Sequence, residues 1–251
     1  MNFKQLLTIV LLIFLSACKK DYTITKIEGK RIEINDQLSS DDSVEAFIKP
    51  YREHVNKDLD SVLAYAADTY SKRDGDLNTA IGNFMADAVY EQANTVFKSR
   101  TQRNIDFVLL NHGGIRSIIS KGDITTRTAY EVMPFENSIV VVDLKGQQVK
   151  ELVEYLAKAK RAHPISRLKL VVDQEYAVKT VSLNEEAIDY NKNYLVATND
   201  YLYNGGDRMT FFQTNDSLYT LDYKIRNALI DYFKKIDTLN PVIDDRFIQI
   251  N

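Results

Sequence analysis

Cysteine, histidine and net charge are all scarce in this 251-residue chain, and each scarcity removes a class of function. The single cysteine, Cys18, has no partner in the chain, so no internal disulfide can form and stability must come from a hydrophobic core. A two-metal hydrolase needs a cluster of Asp, His and Asn ligands around ions about 3.5–4 Å apart. The chain has three histidines, His54, His112 and His163, and none has a ligand-spaced partner. The sequence therefore predicts no metal and no other cofactor bound by this chain. With 32 basic against 35 acidic side chains, net −3, there is no blanket positive field, which argues against a nucleic-acid partner. Gly-x-Ser-x-Gly and Walker-type Gly-rich motifs are absent, as are internal repeats and low-complexity segments. No self-sufficient active site is legible, so the expected set of catalytic residues is empty.

What is present begins with a targeting segment. Lys4 precedes an apolar stretch over 6–15, too short for a mature membrane span of about 20 residues, and it reads as a signal peptide over 1–17. Its end, Leu15-Ser16-Ala17-Cys18, resembles the bacterial lipobox, which makes Cys18 the expected lipidation site and membrane anchor. Lys19 after the anchor favours outer-membrane sorting. The expected location is therefore the cell envelope, at an outer membrane facing the periplasm or the cell surface.

Residues 18–42 read as the lipidated cysteine, a charged tether and a hairpin, because 22–27 and 31–34 alternate and are joined through Gly29. From 43 to 251 one domain is expected. Val44, Phe47, Ile48, Tyr51 and Val55 form a helical stripe over 43–59, and Ile81, Phe84, Met85 and Ala88 form another in a buried helix running from Asp76 to about Asn94. Gly82 inside that helix costs about 1 kcal/mol against Ala, which predicts a chain segment packed closely against it. Strands are expected at 105–110, 138–144, 167–172, 177–183, 194–198 and 246–250, with helices around 149–156 and 222–235. Strands and helices interleave, so the fold class is mixed α/β (α+β), built from layered helices and a mixed sheet whose pairing the sequence does not specify.

Three loops carry the chemistry. The strand at 105–110 enters Asn111-His112-Gly113-Gly114-Ile115-Arg116, a bend where backbone can approach a ligand, with a guanidinium just beyond. Met133-Pro134-Phe135-Glu136-Asn137 precedes the strand at 138–144, and Asn199-Asp200-Tyr201-Leu202-Tyr203-Asn204-Gly205-Gly206-Asp207 follows the one at 194–198. Together they offer flat rings for a base, acceptors for sugar hydroxyls and a cation for phosphate. His112 has two readings, a functional contact or an exposed loop side chain.

With residues 77–88, Leu-Asn-Thr-Ala-Ile-Gly-Asn-Phe-Met-Ala-Asp-Ala, these loops form four ordered motifs. Their order and spacing resemble the C-terminal domain of the 5'-nucleotidase family over about 44–230. The resemblance implies a nucleotide or nucleoside ligand, with Arg116 on the phosphate and Asn111 near the ribose or phosphate. Phe135 and Tyr201 would sandwich the base, Asn137 would reach its edge, and Asp207 would accept from the ribose hydroxyls. Gly113, Gly114, Gly205 and Gly206 would shape the substrate-binding bends. In this family an N-terminal metallophosphatase domain carries two divalent metals and the catalytic His, so metals are expected there and not here. Two departures stand out. Tyr201 occupies a position where the family often has Phe, and its hydroxyl needs a partner if buried. The family also tends to place further phosphate-binding arginines before Gly82; here Lys72 and Arg73 precede Asp74-Gly75-Asp76, and Arg73 is the candidate.

The resemblance implies a substrate-recognition domain of a 5'-nucleotidase-type hydrolase in extracytoplasmic nucleotide catabolism, inactive alone and acting with a separately encoded metallophosphatase. A lipoprotein that captures nucleotides or nucleosides without hydrolysis, or an envelope scaffold, remain the alternatives.

Overall fold

A computed structural model describes residues 24–35 and 37–250, together with Asn2, Phe3 and Gln5. The expected signal peptide, apart from those three residues, and the Cys18 anchor lie outside the described residues. The chain divides into two units, 1–48 and 49–251. In the first, the expected hairpin is absent from the described residues: 24–35 form no strand, and Ile24, Ile27, Ile32 and Ile34 are exposed. Two short strands without a third strand or a helix bury too little to hold together in water. The helix Asp42–Leu59 agrees with the expected stripe, and Asp41 caps it by accepting from the backbone N–H of Ser43 and Val44. None of its residues is buried.

The second unit is organised by a five-stranded mixed sheet. Along the chain come β1 (Val62–Ala66), β2 (Phe107–Leu109), β3 (Gly122–Thr125), β4 (Ser138–Lys145), β5 (Ile165–Ser166), β6 (Leu168–Val172) and β7 (Val178–Leu183). They are followed by β8 (Glu186–Ala187), β9 (Asn193–Asn199), β10 (Ser217–Lys224), β11 (Thr238–Leu239) and β12 (Phe247–Gln249). The central order is β10-β4-β9-β2-β5, flanked by a sheet β12-β6-β7-β8 and a smaller one, β11-β1-β3. Strands β2 and β9 run parallel, and the other central pairs are antiparallel.

Both faces of the central sheet are covered, which is why β4 reads as a nearly unbroken apolar run. Successive side chains point to opposite faces. Ile139 and Val141 join Val108, Leu195 and Ala197 in a core beneath the helices Ala80–Thr101 and Ile225–Phe233. Val140, Val142 and Leu144 join Phe107, Leu109 and Val196 in a second core beneath Gly146–Ala159.

The helix expected from Asp76 starts at Ala80 because Thr79 caps it, its side chain accepting from the Gly82 N–H at 3.2 Å. It continues to Thr101, beyond the expected end. A Cβ at Gly82 would lie 2.9 Å from the Thr79 hydroxyl and 3.6 Å from Pro164, so the close approach expected there is present. The helix expected from 222 begins only at Ile225, since Ser217 to Lys224 pair with β4 as an extra edge strand. A register shift between Thr220 and Lys224, with Asp222 at φ 52°, lets the chain leave that strand and enter the helix.

Candidate functional site

Strand direction places the three loops together. Because β2 and β9 are parallel neighbours, their C-terminal ends open on the same sheet edge, a recurrent ligand position in α/β sheets. Strand β4 runs the other way, with Ile139 opposite Asn199, so its entry loop, 133–137, reaches that edge too. Asn111, Gly113, Arg116, Phe135, Asn137, Tyr201 and Asp207 line one cleft of about 350 Å³ at this place.

Each wall has a local cause. Asn199, fully buried, caps the short helix Asp200–Tyr203 by accepting from the Leu202 N–H at 2.8 Å, and its amide donates to Asn111 Oδ1 at 3.2 Å. The two loops are thereby linked behind the cleft. Gly113 and Gly114 form a 3-10 turn around the Asn111 side chain; a Cβ on Gly114 would sit 3.1 Å from Asn111 Oδ1. Gly114 is buried and supports the cleft from behind without lining it.

The Phe135 loop is held from the last helix. The Ile225 N–H donates to the Asn137 carbonyl at 3.0 Å, and Lys224 Nζ donates to the Glu136 carbonyl at 2.7 Å. The buried Arg226 guanidinium donates to the carbonyls of Pro134 and Phe135, both at 3.3 Å, pairs with the Glu136 carboxylate and lies over the Tyr130 ring. Phe135 itself is 41% exposed and Tyr201 45%, so both rings have a face free of the core. Arg116 lies over the Phe135 ring at 5.8 Å.

Tyr201 finds the partner its hydroxyl requires. It donates to Asp207 Oδ1 at 3.0 Å and accepts from the Asp207 N–H at 3.3 Å, and the carboxylate pushes the phenol pKa up. Gly206 is needed here because a Cβ would fall 2.4 Å from the Tyr201 ring. Gly205, at φ 89°, makes the preceding turn; neither glycine lines the cleft.

Arg73 opens on an adjoining recess of about 310 Å³, lined by Ser71, Lys72, Arg73, Arg116, Ser117 and Ile118, which meets the first cleft at Arg116. Lys72 is a member that sequence reasoning passed over. Its Nζ donates to the Ile115 carbonyl at 2.7 Å, and burial, then the charges of Arg116, Arg73 and Arg161, hold its pKa down. Such a concentration of cations around one small recess favours an anion.

His112 is half-buried and belongs to neither cleft. Its backbone N–H donates to His163 Nδ1 at 3.3 Å, and its Nδ1 lies 3.0 Å from the Ala162 carbonyl, tying the glycine turn to the segment before β5. His163 is buried, and burial pushes its pKa down to about 4, so near neutrality it is an uncharged acceptor. Among the described residues no group of three or more His, Cys, Asp or Glu side chains is placed to hold a metal ion. No helix among them is long and apolar enough to cross a membrane.

Comparison with known proteins points the same way as the geometry. The family model described as 5'-nucleotidase, C-terminal domain, matches residues 59–214. Protein UshA of Yersinia enterocolitica is 25% identical over 227 residues, covering 86% of this chain and 39% of that protein. The trifunctional nucleotide phosphoesterase protein YfkN of Bacillus subtilis is 27% identical over 195 residues, 68% of this chain and 12% of that protein. A solved 5'-nucleotidase precursor from Thermus thermophilus superposes with TM-score 0.69 at 23% identity, covering 83% of this chain and 43% of that one. The NAD nucleotidase of Haemophilus influenzae gives TM-score 0.64 at 19% identity over 84% of this chain and 42% of that one. These two likenesses establish a shared mixed α/β fold. The chain spans well under half the length of each of these four relatives.

Proposed function

The chain belongs to the 5'-nucleotidase C-terminal domain family, and from that premise we propose that it is a nucleotide-recognition domain serving a metallophosphatase domain that lies outside this sequence. The observation that carries the reading is the single cleft in which two part-exposed rings, an amide, a carboxylate and a guanidinium converge. Phe135 and Tyr201 stack on the base, and Asn137 meets its edge. The free oxygen of Asp207 accepts from a ribose hydroxyl, while Arg116 holds the phosphate with Lys72 and Arg73 adding positive potential behind it. Asn111 keeps the glycine turn open to the ligand. Divalent metals and the attacking water belong in this reading to the metallophosphatase domain, and the products are a nucleoside and phosphate. Lipidation at Cys18 would hold the assembly at the cell envelope, in a bacterial outer membrane, where extracytoplasmic nucleotides are degraded.

Calorimetric titration of the chain with AMP and adenosine, with and without Mn²⁺, tests the reading. Binding is expected to be independent of the metal. Phe135→Ala should weaken it by roughly 5- to 150-fold, as expected for loss of one stacked base at about 1–3 kcal/mol. If AMP and adenosine do not bind, and no coexpressed metallophosphatase changes its rate with AMP when the chain is added, the proposal fails. Binding without any such rate change would favour a capture protein.

Gly206→Ala probes the same wall without touching a ligand group. Its methyl would displace the Tyr201 ring and break both hydrogen bonds to Asp207. AMP affinity is expected to fall about 10-fold or more, within the contribution of one stacked ring. Thermal melting should shift little, because the ring is not part of the core. An unchanged titration would show that Tyr201 does not contribute.

A further inference from the structure

Asp207 stands between two clefts. One is the base cleft; the other, about 440 Å³, is lined by Tyr155, Lys158, Ala159, Arg161, His163, Asp207 and Arg208. Lys158 lies in the last turn of the helix Gly146–Ala159, Arg161 follows its C-terminus, and Arg208 comes from the other wall. None of the three has an ion-pair partner among the described residues, although the neighbouring Lys160 does find a contact, lying 4.0 Å above the Tyr176 ring. His163 is uncharged, so Asp207 supplies the one negative charge in this lining against three positive ones.

The backbone between the clefts is strained in a directed way. Asp207 and Arg208 are consecutive left-handed residues, at φ 52° and 63°, a conformation costing non-glycine residues about 1–2 kcal/mol each. A hydrogen bond from the Tyr155 hydroxyl to the Asp207 carbonyl, at 2.9 Å, helps to hold it. The result puts Asp207 in the lining of both clefts and Arg208 in the lining of the second alone.

We propose that the cleft of Lys158, Arg161 and Arg208 is a second anion subsite that takes a phosphomonoester on the 2′ or 3′ oxygen of the bound ribose. The ligand class is a nucleoside carrying one phosphate at its 5′ end, toward Arg116, and another on the sugar. The remaining free ribose hydroxyl donates to Asp207, and the second phosphate lies on its far side among the three cations. A 5′-polyphosphate extends instead from the Arg116 end and does not reach this subsite. This inference rests on the assignment of the base cleft and Asp207 given above.

Titration of the full chain with AMP, ADP and adenosine 3′,5′-bisphosphate or 2′,5′-bisphosphate at low salt tests it, together with the double variant Lys158→Gln/Arg161→Gln. Both side chains are exposed, so folding should be unaffected, as a thermal melt would verify. One of the bisphosphates is expected to bind at least about 10-fold tighter than AMP, consistent with one or two charge-assisted hydrogen bonds. In the double variant that advantage, taken as the ratio to AMP affinity in the same variant, should shrink below about threefold, while the ratio of ADP to AMP affinity stays as in the wild type. Bisphosphates binding no better than AMP, or a preference that survives the double variant, would overturn the subsite while leaving the base cleft intact. Failure of every adenosine ligand to bind would overturn the base-cleft assignment and the subsite with it.

Discussion

Arg116→Ala is expected to weaken AMP binding by about 100-fold while changing adenosine affinity by less than about fivefold. Arg116 joins the base cleft to the cationic recess, being the one side chain that lines both. A phosphate placed between the two meets a planar donor fork whose carbon lies 5.8 Å from the Phe135 ring centre. A charge-assisted bidentate contact of this kind is worth about 1.5–3 kcal/mol, which brackets a 100-fold loss. Adenosine lacks the phosphate and loses only the cation's support of the ring. Its modest sensitivity is what separates a phosphate contact from a general collapse of the cleft. Paired titrations of the variant with AMP and adenosine read the difference directly. Equal losses for both ligands would assign Arg116 to holding Phe135 in place and not to the phosphate.

The largest stability effect should come from Arg246, a residue that lines none of the clefts described above. Arg246 donates two bonds of 3.0 Å to the carboxylate oxygens of Asp87, binds both oxygens of Asp244 and donates to the Ile165 carbonyl at 2.7 Å. One side chain thus links the buried helix, β5 and the entry to β12. Burial opposes the charge on Asp244, but hydrogen bonds from Arg246 outweigh it and hold that carboxyl below its ordinary value of 3.8.

Arg246→Ala would leave two carboxylates without their cation and a carbonyl without its donor. A loss of about 3 kcal/mol in unfolding free energy is expected, toward the low end of the range for breaking a buried pair because both acids are partly open to water. Urea denaturation at neutral pH reads it. A folded-state pKa below the unfolded one stabilises above about pH 3.8 and is lost as pH falls through the folded value. The difference between wild type and variant should therefore narrow below that pH. A difference that stays constant down to pH 2 would place the contribution in packing.

The parts of this protein that could be read from sequence alone are those determined by local composition. Gly113-Gly114 and Gly205-Gly206 mark bends, Phe135 and Tyr201 bring rings to loops, and the valine run of β4 marks a strand covered on both faces. Those features were enough for the mixed α/β class, the family resemblance and seven residues that do line one cleft. Local composition failed where pairing partners decide conformation. Residues 24–34 alternate like a hairpin yet form no strand, while Ser217 to Lys224 became an edge strand by pairing with β4. Arg73 and Lys72 lie close together in sequence, but their place beside Arg116 depends on how the chain passes the end of β2.

Tertiary structure alone decided which loops meet. Parallel pairing of β2 with β9, and antiparallel pairing of β9 with β4, bring segments around 111, 135 and 201 to one sheet edge. The same convergence turns three positive residues, 158, 161 and 208, unremarkable in a chain with 32 Lys and Arg, into one basic cleft beside Asp207. Sequence determines what each loop can contribute because backbone freedom, ring faces and charge are properties of single residues. Which contributions act together is set by strand register, a long-range property that depends on every element packed against the sheet.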